Sequence, residues 1–169
     1  MAKVEALSNV IIKQVDSFHD HRGQLFTLWE KSDFDFLNFN HDKVAISHKN
    51  VLRGLHTDKS WKLITCIHGS IQLVVANIDK NSQEYLDHID IIINSDDKIK
   101  TFVLVPPGYV NGHLVLSDEA VFYYKWCYEG EYPDMKDQLS VNWADPKLDI
   151  NWLTDDPILS DRDKKTRLL

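Results

Sequence analysis

The stretch VLRGLHTDKSWK (51–62) sets Arg53, His56 and Lys62 close together on an otherwise apolar run. Two arrangements fit it. The three charges could lie around the edge of a core strand, where a histidine after a leucine most often makes a backbone hydrogen bond. They could instead line a pocket for an anionic substrate that must lose a proton. The tail favours the second arrangement, because SDRD (160–163) brings a carboxylate, Asp163, able to reach back to His56. A histidine paired with a carboxylate is a better base, since the carboxylate stabilises the imidazolium that forms. Lys62 could then stabilise an oxyanion.

A second stretch, FVLVPPGYVNGHLVLSD (102–118), suggests a cupin-type barrel, with a P-x-G turn entering a strand. Many cupins hold a metal through His-x-His, a Glu and a distant His. Here Asp58 follows His56 by two residues, Lys62 takes the place of the Glu, and Asn111 stands where the distant ligand belongs. A lysine and an asparagine in ligand positions argue against a transition-metal site. His113, two residues further along the same strand, would share a face with Asn111 and keeps a metal formally open. In VFYYKWCY (121–128) strand alternation puts Phe122, Tyr124 and Trp126 on one side and Tyr123, Lys125 and Cys127 on the other. These aromatics could simply fill a barrel. A tyrosine facing His56 across the lumen would also be a proton donor.

The elements that must position these groups are β-strands. QLFTLW (24–29), KLITCIHG (62–69), IQLVVANID (71–79), HIDIIIN (88–94), KTFVLVP (100–106), HLVLS (113–117) and AVFYYKWCY (120–128) are short β-rich runs separated by turn residues. Helical signal is confined to DFDFLNFN (33–40) and a second short segment near the C-terminus. Many short strands in one domain spanning 1–169 predict an all-β jelly-roll barrel. The last forty residues, rich in Asp, Pro and Trp, read as an ordered tail over the barrel, anchored by Trp143, Trp152, Ile158 and Leu159.

The whole chain has 169 residues, 43% hydrophobic and 27% charged, with a formal net charge of −7. That balance disfavours a bulk electrostatic grip on nucleic acid or an anionic membrane. The segment MAKVEALSNVIIKQVD has no long apolar run of the kind a signal peptide needs, and nothing approaches a membrane span. Cys66 and Cys127 sit in strand-like runs without metal or redox spacing, and read as buried free thiols of a cytoplasmic protein.

Taken together, FHDHRGQLF (18–26), NVLRGLH (50–56), WKLITCIHG (61–69), PPGYVNGH (106–113), YYK (123–125), VNWADPKLDINW (141–152) and PILSDRD (157–163) resemble the dTDP-4-dehydrorhamnose 3,5-epimerase family. These are cofactor-independent cupin enzymes of activated-sugar biosynthesis. The resemblance implies His56 as the base, Asp163 as its carboxylate, Tyr124 as the general acid on the opposite face of the sugar, and Lys62 as the cation that stabilises the enolate. It implies Arg53 and Arg22 as holders of the diphosphate, Arg22 reaching across a homodimer interface. It adds Phe26, Asn111 and His113 to the substrate-binding set. No metal or nicotinamide is implied, because the substrate already carries its ketone.

The chain also departs from the family pattern. A Q-x-N-x-S run before R-G-L-H is replaced by HDKVAISHKN, Thr57-Asp58 follows the base, and the histidine of P-x-G-x-x-H-G is Asn111. The D-x-R after the central strand is Asn77-Ile78-Asp79. These changes, with the YYK…GEY…DQ arrangement, resemble the branch acting on GDP-4-keto-heptoses for bacterial surface polysaccharide, ahead of dTDP-4-keto-6-deoxyhexoses. The competing readings are a metal-dependent cupin isomerase or dioxygenase, and a catalytically silent cupin that binds a nucleotide sugar.

Overall fold

The computed structural model describes residues 6–133, 136 and 138–169. Part of the N-terminal segment read for a signal peptide, and Asp137 of the Asp-Gln pair, lie outside the described residues. Two five-stranded antiparallel sheets face each other. The first runs in the order β1 (Ile11–Asp16), β9 (Ile99–Val105), β6 (Trp61–His68), β11 (Glu119–Cys127), β4 (His41–His48). The second runs β12 (Leu139–Ser140), β5 (Leu52–Thr57), β10 (Tyr109–Val115), β7 (Ser70–Asn77), β8 (His88–Asn94). A separate hairpin joins β2 (Phe18–Asp20) to β3 (Gly23–Leu25). This is the all-β cupin jelly roll that the strand pattern predicts.

The inner core is the set of side chains the two sheets turn toward each other. Ile64, Cys66, Val103 and Phe122 meet Ile71, Leu73, Val75, Ile89 and Val115 there. Both outer faces are covered as well. Residues 26–39 lay Phe26, Leu28, Trp29, Phe34 and Phe39 over Leu63, Phe102 and Leu104 of the first sheet. The C-terminal tail lays Val141, Leu148 and Trp152 over Leu52, Val74, Val110 and Leu114 of the second. Strands covered on both faces need no polar alternation. That is why β7 and β9 read as continuous apolar runs and were visible in the sequence.

Several expectations shift. The strand expected over 24–29 ends at Leu25, because Phe26 and Leu28 leave the hairpin to cover the first sheet. The strand expected over 113–117 begins at Tyr109. The expected helix over 33–40 is a single 3-10 turn, Lys31–Phe34. The C-terminal one is α1 (Asp161–Lys164), whose N-cap Ser160 accepts the Asp163 amide at 3.1 Å. The edge strands β1 and β4 carry no clean apolar pattern, since each is open on one side. The tail is ordered and anchored by Trp143, Trp152 and Leu159, but Ile158 is 57% exposed. It contributes through its backbone, in a parallel bridge to Val51. Cys66 is buried, with its thiol pushed up to about 11 by burial, whereas Cys127 is only half-buried.

Candidate active site

A cavity of about 640 Å³ opens between the sheets at one end of the barrel. His56 from β5 and Asn111 and His113 from β10 form one wall, and Tyr124 and Trp126 from β11 the other. Arg53, Lys62 and Lys43 line it too. The two glycines of R-G-L-H and N-G-H explain how the first wall is built. A β-carbon at Gly54 would come within 2.6 Å of the Gly112 α-carbon, and one at Gly112 within 2.9 Å of the Arg53 carbonyl. The register between β5 and β10 shifts at this point, pairing Asn111 with His56 and His113 with Arg53. Only two glycines let the backbones approach so closely while all four polar side chains face the lumen.

His56 is fixed at both ring nitrogens. Its Nε2 lies 3.0 Å from Asp163 Oδ1 and its Nδ1 3.0 Å from Ser140 Oγ. Burial pushes the Asp163 carboxyl up, but hydrogen bonds from His56, the Ser160 side chain and the Gly54 amide outweigh it and hold the group below the ordinary carboxylate range. Lys62 forms a buried ion pair with Asp58 at 2.8 Å, with its ammonium 4.7 Å from the centre of the Trp126 ring. Burial lowers the Lys62 pKa, and Asp58 offsets part of that. Arg53 donates from Nε to Ser47 Oγ at 3.0 Å.

On the facing wall the alternation in β11 holds. Tyr124 packs edge-on against Phe122 inside, while Tyr123 turns outward and donates to Asp42 at 2.8 Å. The Tyr124 phenol is pushed up to about 12, first by burial. His113 stacks on Phe122 with ring centres 3.9 Å apart, and burial, with the Arg53 guanidinium nearby, brings it down to about 3, so it is a neutral imidazole. Its Nε2, the Asn111 Oδ1 and the Trp126 Nε1 are buried and have no hydrogen-bond partner among the described residues. Buried polar atoms are normally satisfied. Of these three cavity-wall residues, His113 and Asn111 stand side by side on one strand, and Trp126 faces them. Among the described residues no three His, Cys, Asp or Glu side chains are grouped to hold a metal.

Two residues of the expected set stay away from the cavity within this chain. Arg22 sits on the exposed hairpin, tied to Asp20 at 2.5 Å. Phe26 packs outside the first sheet, with the Lys100 ammonium 5.0 Å from its ring centre. Other residues enter unannounced. Lys43 lies beside the Trp126 and Tyr132 rings and bonds the Tyr132 hydroxyl. Ser140 meets His56 at Nδ1, and Arg162 meets Ser140. Trp126 could have been found, being two residues from Tyr124 on one strand face. Ser140 and Lys43 carry no local signal, since only strand pairing brings them in.

The chain is similar along nearly its full length to proteins of one kind. The family model described as dTDP-4-dehydrorhamnose 3,5-epimerase matches residues 5–169. The dTDP-4-dehydrorhamnose 3,5-epimerase of Escherichia coli K12 is 31% identical over 169 residues, covering 94% of this chain and 89% of that protein. The crystal structure of the Bacillus anthracis enzyme of that name, with TDP and pyrophosphate bound, is 28% identical and superposes with a TM-score of 0.86, covering 99% of both chains. A 3'-monoepimerase from Streptomyces bikiniensis in complex with dTDP-quinovose is 26% identical, with a TM-score of 0.84, covering 99% of this chain and 87% of that one. With a matching family model over all but its first few residues, this chain belongs to the dTDP-4-dehydrorhamnose 3,5-epimerase family and is a nucleotide-sugar epimerase.

Proposed function

We propose that the chain inverts carbon centres beside the ketone of a nucleotide-diphosphate 4-keto sugar, with no cofactor. The observation that carries this reading is one cavity with a carboxylate-paired histidine on one sheet and a protonated tyrosine on the other. A C–H next to a ketone is acidic enough to lose only if the enolate is stabilised. His56 takes the proton from one face, and the electron pair of the C–H bond passes into the enolate. The Lys62 ammonium, desolvated and held by Asp58, stabilises the oxyanion. Tyr124 then delivers a proton from the other face, which inverts the centre. Arg53 at the cavity wall is the candidate for the diphosphate. The unpartnered atoms of Asn111, His113 and Trp126 suit sugar hydroxyls.

The relatives' names support dTDP-linked 4-keto-6-deoxyhexoses as substrate class, and inversion at C3 alone or at both C3 and C5. The GDP-4-keto-heptose reading draws no support from those names and rests on the sequence departures alone: the replaced Q-x-N-x-S run, Thr57-Asp58, Asn111, Asn77-Ile78-Asp79 and the YYK…GEY…DQ arrangement. The active form is a homodimer in which Arg22, out of reach of its own cavity, serves the neighbour's. The test is incubation with dTDP- and GDP-linked 4-keto sugars in D₂O, following deuterium at C3 and C5 by NMR. Exchange with inversion in the wild type, lost in His56→Asn, is expected. Retained exchange in that variant would remove His56 as the base. Activity that vanished with a chelator and returned with a divalent ion would favour the metal-dependent reading.

A further inference from the structure

One turn of helix holds the base from both sides. Asp163 meets His56 Nε2, and its neighbour Arg162 donates from Nη2 to Ser140 Oγ at 2.7 Å and from Nη1 to Gln138 Oε1 at 3.1 Å. Ser140 stands opposite His56 in the β12–β5 register, so backbone pairing sets the serine in front of Nδ1. Building on the epimerase reading, we propose that Ser140 and Arg162 are positioning residues that fix the tautomer of His56 and make Nδ1 the nitrogen that accepts the substrate's proton.

The chemistry of the donors leads there. An ionised carboxylate only accepts, and Asp163 Oδ1, buried 3.0 Å from Nε2, has no other hydrogen-bond partner among the described residues, so Nε2 is the nitrogen placed to carry the ring hydrogen. A guanidinium only donates, so Arg162 occupies a lone pair of the Ser140 oxygen and leaves the serine hydrogen free to point at Nδ1. The neutral ring is therefore the Nε2–H form, its lone pair on Nδ1 held by a hydroxyl. Of the two holds the hydroxyl is the weaker, because hydrogen bonds to an ionised group are about twice as strong as neutral ones. When substrate enters, the Ser140 hydroxyl rotates aside while Asp163 keeps the ring in place. The carbon's proton ends on Nδ1, the C–H electron pair on the enolate, and Ser140 keeps its own hydrogen. The Ser140 oxygen then has a lone pair to receive the new Nδ1–H.

The first measurement needs no substrate. In protein carrying ring-¹⁵N histidine, long-range ¹H–¹⁵N spectra identify His56 by its loss in His56→Gln. The Nε2–H tautomer is expected, and Ser140→Ala should move the Nδ1 signal toward that of an unbonded imidazole nitrogen. An Nδ1–H tautomer in the wild type, or an Nδ1 signal unmoved by Ser140→Ala, overturns the proposal. With a 4-keto nucleotide sugar, Ser140→Ala should lower kcat for deuterium exchange roughly tenfold, the loss of one hydrogen bond, with KM nearly unchanged. Ser140→Thr should restore it. Arg162→Gln should give a similar loss and add nothing in the Ser140→Ala background, because it acts through the serine; additive losses would refute that route. A wild-type protein inert toward every sugar tested sinks the epimerase reading, while the tautomer still decides this one.

Discussion

Burial moves Tyr124 and His113 in opposite directions, and each shift has a measurable consequence. Tyr124, pushed up to about 12, stays a phenol at neutral pH and can donate. Tyr124→Phe removes only the hydroxyl, so inverted product should fall by about 10²–10⁴-fold while deuterium still exchanges at the carbon His56 attacks. Tyr123→Phe should leave inversion intact, since that hydroxyl is outside on Asp42. If the two variants traded places, Tyr123 rather than Tyr124 would be the acid. His113, brought down to about 3, is neutral in the fold but protonates near 6.5 when unfolded. Between those values the unfolded chain binds the extra proton, so stability falls as pH falls. The slope from this one group is up to about 1.4 kcal/mol per pH unit. His113→Gln should flatten the acid limb of a stability-versus-pH curve measured by urea unfolding; an unchanged slope would mean the imidazole is already charged. Lys62 leans on Asp58 against its own burial. Asp58→Asn should therefore lower its pKa further and draw the alkaline limb of exchange activity to lower pH.

At the scale of elements, the strands buried on both faces were the legible ones. KLITCIHG and KTFVLVP fall within a residue of β6 and β9, while HIDIIIN (88–94) coincides with β8, an edge strand with Ile92 50% exposed that is legible by its isoleucine run instead. The chain offers no comparable pattern for β4, where Val44 and Ile46 are more than half exposed beside polar neighbours. The same physics divides the site. His56, Lys62, Tyr124, Asn111 and His113 announce themselves because strand alternation and short glycine-bearing motifs put them on one face. Ser140, Arg162 and Lys43 do not, because β12 meets β5, and β4 meets β11, across long stretches of sequence. The tail tests how far packing outside the barrel matters. Leu148 is fully buried against the second sheet. Leu148→Ala should cost about 2–5 kcal/mol in urea unfolding. A change below ~1 kcal/mol would mean that the tail folds independently of the barrel.

The whole molecule presents apolar surface where it has no partner of its own. Phe18 and Leu25 face each other across the β2–β3 hairpin at 73% and 74% exposure. A lone two-stranded hairpin is marginal in water. Lys100 ties this one back to the barrel through Gln24 and the carbonyls of Ser95 and Asp97. A second copy of the chain is the expected cover for the apolar pair. Phe18→Asp with Leu25→Asp should convert the proposed dimer to a monomer by light scattering. If Arg22 serves the neighbouring cavity, the same pair of changes should raise KM as Arg22→Ala does. A wild-type monomer at micromolar concentration would end the proposal.

The position of Asp163 has a temporal side. The inner core is complete once β11 is in place, but the carboxylate that completes the base belongs to a helix some thirty-five residues later in the chain. A growing polypeptide that has closed its barrel therefore holds a histidine without its partner. The tail must still lay Val141, Leu148 and Trp152 on the second sheet before Asp163 arrives. Competence therefore depends on the docked tail, since only that docking brings Asp163 to His56.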